Sequence, residues 1–198
     1  MFIYIIVMFL ILSIGLFFNV NKSYKLGKYY LIFIFSILTL LSALRNISVG
    51  VDTSQYYEAY KLIGTIEWNE LDKLRYEIGF SLLCKVLNYI SSNPQLLLIV
   101  TSIFINSSVG LFIYRNSNNV VLSSFIFITY NLYFNYMNIM RQAIAIAIVL
   151  FAYEYLKNKK IIKYSILVLI ASLFHTSSII CLLFIIFSKV KYDKKINI

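Results

Sequence analysis

Apolar runs of about 15 to 20 residues recur along this chain, and each has the length that crosses a bilayer as a helix. The clearest are "FIYIIVMFLILSIGLFF" from residue 2, "YYLIFIFSILTLLSAL" from 29 and "QLLLIVTSIFINSSVGLFIY" from 95. With 61% of the 198 residues hydrophobic and 13% charged, there is more apolar surface than a soluble domain of this size can hide. The runs lack the polar–apolar alternation of barrel strands. One proline and six glycines fit long helices. The reading is an all-α, polytopic integral membrane protein, a single helical transmembrane domain over 1–198. Membrane helices are expected at 2–19, 29–44, 95–114, 120–136 and 138–156, with a further apolar stretch at 161–188, about six in all. The first run has no basic region before it and no small-residue cleavage site after it, so it reads as a retained helix.

The net charge of +10 is not a nucleic-acid footprint, because the lysines sit in short loops between apolar runs, the pattern of membrane orientation. No nucleic-acid partner is expected; the lipid bilayer is. Lys22, Lys25 and Lys28 place the loop 20–28 in the cytoplasm, and Lys157, Lys159, Lys160 and Lys163 do the same for 157–163. By parity 115–119, with Arg115, is also cytoplasmic. That leaves 45–94 and the turn near 136–138 outside. The two cysteines, Cys84 and Cys181, suit apolar packing and have no disulfide or metal spacing.

The outer segment 45–94 holds five basic and six acidic residues, the mixed charge of a folded substructure. Two short helices are expected in it. In "DTSQYYEAYKLIG", Asp52 or Thr53 can cap the first turn. Tyr56, Tyr57, Tyr60 and Ile63 then share a face that suits the membrane interface. In "YEIGFSLLCKVLNYI", apolar residues recur at helical spacing over 78–90, with Lys85 and Asn88 on the other side.

The stretch 161–188 spans 28 residues, with four lysines in each flank, at 157–163 and 189–195. It reads either as one tilted helix with a lysine-rich outer tail or as two short helices meeting at "FHTSS". The second reading keeps both flanks cytoplasmic and predicts a break at His175–Ser178, where hydroxyls can satisfy freed amides.

Ionisable groups within membrane segments are costly and mark partners or cavities. Arg45 ends the second run and Arg141 sits just inside the fifth. Glu77 begins the second outer helix, and His175 is the single histidine. Asp52 lies in the loop beside Arg45. By the topology above, both arginines and both acids lie at the outer membrane level, and a broken last stretch brings His175 toward them. Taken singly, each has a plain structural reading: a snorkelling arginine, a helix cap, an ion pair, a packed histidine. Together, two guanidinium groups at one depth suit a lipid-linked pyrophosphate, because each can fork onto phosphate oxygens.

Arg45 with "VGVDTSQYYEAY", then "YEIGFSLLCKVLNYI", "MRQAIAIAIVLFAYEYL" and "LIASLFHTSSII", in that order and spacing, resemble successive motifs of the EpsG-type, Wzy-like polysaccharide polymerases. The likeness covers about residues 30–188. Arg45, Gly50, Asp52, Thr53, Tyr56, Glu77, Gly79, Arg141 and His175 match that family's recurrent polar pattern. The resemblance implies a protein of the bacterial cytoplasmic membrane. It implies a reaction in exopolysaccharide or capsule biosynthesis: a sugar chain on undecaprenyl pyrophosphate is transferred to a hydroxyl of the next lipid-linked oligosaccharide. Arg45 and Arg141 would hold the leaving pyrophosphate. One of Asp52, Glu77 or His175 would take the proton. Gly50, Thr53, Tyr56 and Gly79 would shape the motif. Neither metal nor cofactor is implied, and "VDTS" is not the acidic pair of a metal-dependent nucleotide-sugar transferase. Other polysaccharide assembly proteins are expected partners. Members of that family are longer, so the chain reads as the N-terminal part of the family fold.

Two other functions fit a chain of this class. One is a non-catalytic component, or truncated remnant, of a polysaccharide assembly system. The other is a lipid-linked sugar transporter, which should carry charges through the depth of several helices. Here the charges gather at one side, which favours a reaction at the membrane surface.

Overall fold

The computed structural model describes residues 2–189, with side chains described over 5–188. Among these residues there is no strand. The helices are α1 Phe2–Phe17, α2 Tyr24–Ala43, α3 Thr53–Thr65, α4 Ile78–Ile90, α5 Gln95–Asn116, α6 Val120–Thr129, α7 Leu132–Asn138, α8 Met140–Lys157, α9 Ile161–Ser172 and α10 Phe184–Lys189. Tighter 3-10 segments lie at Val20–Lys22, Trp68–Lys73 and Thr176–Leu183.

Local chemistry sets several starts. Asn119 accepts from the Leu122 N–H at 2.9 Å and caps α6. Before α5, the Asn93 carboxamide accepts from the Gln95 N–H at 2.9 Å, and Pro94 has the φ of −59° that its ring imposes. Of the described helices, α2 and α5, 20 and 22 residues long with mean hydropathy 1.7 and 2.2, are each long and apolar enough to cross a bilayer. Shorter apolar helices include α1, α4 and α9, and α6 with α7 forms a bent pair that is long and apolar enough when taken together. The protein is an all-α membrane protein.

Two large apolar clusters divide the interior. One joins α3, α4, the first half of α5 and the first half of α8, around Tyr60, Phe80, Leu97 and Ala143. The other joins α1, α2, the second half of α5, α6 and α7, around Ile11, Ile34, Ile128 and Tyr133. The helix ends gather at two poles. At one pole Asn21 Nδ2 donates to Asn119 Oδ1 at 2.8 Å, and Lys157 Nζ to Asn116 Oδ1 at 3.3 Å. The three loops expected in the cytoplasm thus meet at one end. At the other pole Arg45 reaches the Met137 carbonyl, and the Val51 N–H reaches Asn138.

The structure departs from the expected helices in three places. The expected crossing 120–136 is divided: α6 and α7 meet at a bend of 52°. Asn131 sits there at φ 62°, a left-handed conformation asparagine tolerates. The bend turns Tyr133 inward, where its hydroxyl donates to the Leu38 carbonyl at 2.6 Å. Second, the face of α3 with Tyr56, Tyr60 and Ile63 does not meet the membrane interface; it is buried in the first cluster. Third, Lys85 is not on a solvated face. It is 9% exposed, and its Nζ donates to the carbonyls of Gly64 at 3.0 Å, Ile63 at 3.3 Å and Ile66. These are carbonyls at and just after the last turn of α3, which lack intrahelical partners and carry the negative end of the helix dipole.

The stretch 161–188 is broken. α9 ends at Ser172, and the chain turns through Leu173 and Phe174 to His175, which is extended at φ −156°. The following segment folds back along α9, so that the Tyr164 hydroxyl donates to the Cys181 carbonyl at 2.7 Å. His175 is therefore near the tip of a hairpin. The lysines at 191, 194 and 195 lie outside the described residues.

Candidate functional site

The polar residues at the tip pole are brought together by backbone contacts between distant elements. The N–H of Gly79, in the first turn of α4, donates to the carbonyl of Leu173 at 2.8 Å. A Cβ on Gly79 would lie 2.7 Å from that oxygen and 2.9 Å from its carbon, both backbone atoms. Only glycine permits this approach. It docks the start of α4 on the corner that ends α9, and so sets Glu77 beside His175.

Glu77 stands at the N-cap of α4 but makes no capping bond. One carboxylate oxygen, Oε2, pairs with Arg141 Nη1, and the other, Oε1, lies 3.3 Å from His175 Nδ1. Glu77 is 18% exposed, and Arg141 and His175 are each 29% exposed. The cluster thus opens to the surface but is not bathed by it. An imidazole held through Nδ1 by a carboxylate keeps Nδ1–H as donor and presents Nε2 as acceptor. Among the described residues no side chain occupies that Nε2. The Arg141 Nε is buried and has no partner among them either. The guanidinium also lies over the Tyr76 ring, with Cζ 5.4 Å from its centroid.

Tyr56 comes up beside Arg141 from α3. Burial pushes its phenol above the ordinary value, and the nearby guanidinium opposes that shift. Asp52 stands at the N-cap of the same helix, half-buried, and its carboxylate makes no capping bond. Thr53 Oγ1 instead donates to the Val49 carbonyl at 2.7 Å. Gly50 has φ +99° and turns the chain so that the Val51 N–H meets Asn138 Oδ1 at 2.9 Å.

Arg45 takes a different place. It is 7% exposed, and its guanidinium donates to the carbonyls of Ser42 and Met137, each at 3.0 Å. It ties the end of α2 to the end of α7, just before α8 begins. The structure therefore joins Glu77, Arg141 and His175 directly, places Tyr56 beside them, and uses Gly50, Thr53 and Gly79 to position backbone. Tyr76 escaped the sequence reading, and Arg75, which could have paired with Glu77, does not: Tyr76 stacks under Arg141, and Arg75 lies over the same ring, with Cζ 5.0 Å from the centroid. Their signal was faint: a cation and an aromatic directly before the acid. Among the described residues no three His, Cys, Asp or Glu side chains gather as a metal-ligating group.

No curated protein and no solved structure matches the chain. A family model does: that of the EpsG family matches residues 28–198, a span that includes every residue of the cluster. The chain belongs to the EpsG family.

Proposed function

We propose that the chain polymerises lipid-linked oligosaccharide repeat units on the outer face of the bacterial cytoplasmic membrane, as a multi-pass enzyme of exopolysaccharide or capsule biosynthesis. The substrate on this reading is an oligosaccharide on undecaprenyl pyrophosphate. Family membership supports the class of reaction. The observation that carries the chemistry is Glu77, held between Arg141 and His175 at the tip pole.

His175 is the general base. Its Nδ1–H is fixed by Glu77, and Nε2 takes the proton of the attacking sugar hydroxyl. That hydroxyl oxygen bonds the anomeric carbon of the donor as the carbon–oxygen bond to pyrophosphate breaks. The electron pair leaves with the lipid pyrophosphate, whose developing charge Arg141 holds. The proton passes from His175 to solvent or to the departing pyrophosphate. Asp52 and Tyr56 line the approach to Arg141, and Arg45 is a tether rather than a ligand. The loops with Lys22, Lys25 and Lys28 and with Lys157–Lys163 face the cytoplasm on this reading.

The test is made in a strain whose polymer depends on this chain. His175→Ala and Glu77→Gln should each abolish polymer and leave single lipid-linked repeat units on the outer face. Arg141→Lys keeps the charge but loses the fork, and should lower polymer yield at least about tenfold. Repeat units retained on the inner face would instead indicate transport. Unchanged polymer in all three variants would remove the reading altogether.

A further inference from the structure

Arg141 does not act alone on the ring of Tyr76. The guanidinium carbons of Arg75 and Arg141 lie 5.0 and 5.4 Å from its centroid, and Arg75 Nη2 is 3.0 Å from the Tyr76 hydroxyl. Two cations share one aromatic ring. Of these two arginines only Arg141 has a carboxylate partner, Glu77; Arg75 forms no ion pair among the described residues. Arg75 is also exposed. Two like charges share this ring, and only one of them, Arg141, is paired with an acid, so the charge of Arg75 is left unbalanced by any ion pair. The ring face offsets part of it; an anion would offset the rest.

We propose that Arg75 and Arg141, gathered on Tyr76, are the pair that grips the pyrophosphate of the lipid-linked substrate. The proposal rests on the polymerase reading above and replaces the pairing of Arg45 with Arg141. The guanidinium of Arg45 is buried and engaged with two carbonyls, and it cannot turn to a phosphate without releasing α7. Arg75 has no such commitment. Sharing one ring puts the two guanidinium carbons no more than about 10 Å apart. With each fork about 4 Å from its phosphorus, and the phosphorus atoms about 3 Å apart, the two can hold opposite ends of one pyrophosphate. Tyr76 is a positioning residue: it fixes the arginines and touches no reacting atom.

The test is a titration of the full chain, purified in detergent, with farnesyl pyrophosphate and, separately, farnesyl monophosphate. Arg75→Ala should weaken pyrophosphate binding about tenfold or more and change monophosphate binding by less than about threefold. Arg75→Lys should regain only part of the loss, because the charge returns without the fork. Tyr76→Phe keeps the ring and should bind almost as wild type does; Tyr76→Leu should resemble Arg75→Ala. Lys73→Ala removes a nearby charge outside the site and should stay within about twofold of wild type. If it costs as much as Arg75→Ala, the effect is general charge and the proposal is wrong. Arg75→Ala binding pyrophosphate as wild type does would also overturn it and leave the polymerase reading standing. A wild-type chain that binds no pyrophosphate would overturn both.

Discussion

The two large apolar clusters are similar in size but are held in different ways. In the cluster around α1, α2, α6 and α7, side chains fill space between helices, and the tyrosines that enter it, Tyr30 and Tyr133, donate to helix carbonyls. Phe35 and Phe127 stack there with centroids 5.8 Å apart. In the cluster around α3, α4 and α8, side chains also donate to carbonyls, but one tie runs from backbone to backbone. Gly79 meets Leu173, Lys85 collects three carbonyls around the end of α3, and Asn88 Nδ2 donates to the Tyr60 carbonyl at 3.0 Å. Side-chain packing tolerates small shifts, because neighbours can re-pack. Backbone ties do not. The cluster of Glu77, Arg141 and His175 hangs from the Gly79–Leu173 tie, which sets the separation of Glu77 and His175 although they lie 98 residues apart.

That contrast can be broken by single substitutions. The largest effect is expected from Gly79→Ala. The new methyl would press on a backbone carbonyl, cost about 3 kcal/mol and move His175 from Glu77. Polymer should fall to the level of His175→Ala, and thermal unfolding in detergent should show the loss of stability. A stable, active Gly79→Ala would show that the tie is not needed. Lys85→Met comes next. It keeps the stem but leaves the α3 carbonyls unpaired, at a cost of about 2 kcal/mol in the same unfolding experiment. Gly50→Ala should cost about 1–2 kcal/mol, because φ +99° disfavours any residue with a Cβ and that Cβ would lie 2.7 Å from Thr53 Oγ1 and 2.9 Å from Asn138 Oδ1. The smallest effect belongs to the other cluster. A Cβ on Gly27 would sit 3.6 Å from Val120, an ordinary contact, so Gly27→Ala should raise stability by about 0.5 kcal/mol through helix propensity. Glycine to alanine would then have opposite signs at Gly27 and Gly79. Equal effects at Gly27 and Gly79 would erase the distinction.

Much of the fold could be read from run length and charge placement. The long apolar runs located α2 and α5, although α2 begins five residues before the expected start, on the turn that carries Lys25 and Lys28. The break near His175 was one of two readings because a largely apolar stretch of 28 residues between lysine-rich flanks is hard to place as one crossing. Membrane depth grouped Glu77, Arg141 and, on the broken-stretch reading, His175, but also Arg45 and Asp52, and it could not say which of the five meet. What escaped depends on rotation and tertiary contact. Periodicity put Lys85 on the polar face of α4, but it cannot show that the end of α3 lies opposite that face. The tyrosines of α3 share a face in either environment, and only packing decides that the face turns inward. The bend at Asn131 is one residue in a continuous apolar run. The burial of Arg45 depends on where α7 ends, which that bend determines.

The sequence separations in the cluster order its assembly in time. Glu77 lies 64 residues before Arg141 and 98 before His175. At ribosomal rates of about 5–20 residues per second, Arg141 is made roughly 3–13 seconds after Glu77, and His175 roughly 5–20 seconds after it. The acid is thus synthesised first, in the polar segment between α2 and α5, and the arginine at the head of α8 enters an environment where its counter-charge already exists. Insertion of α8 is helped by a partner made beforehand, and the histidine arrives last. A nascent chain therefore acquires its Glu77–Arg141 pair before its histidine, and the cluster is complete only when the corner after α9 closes against α4.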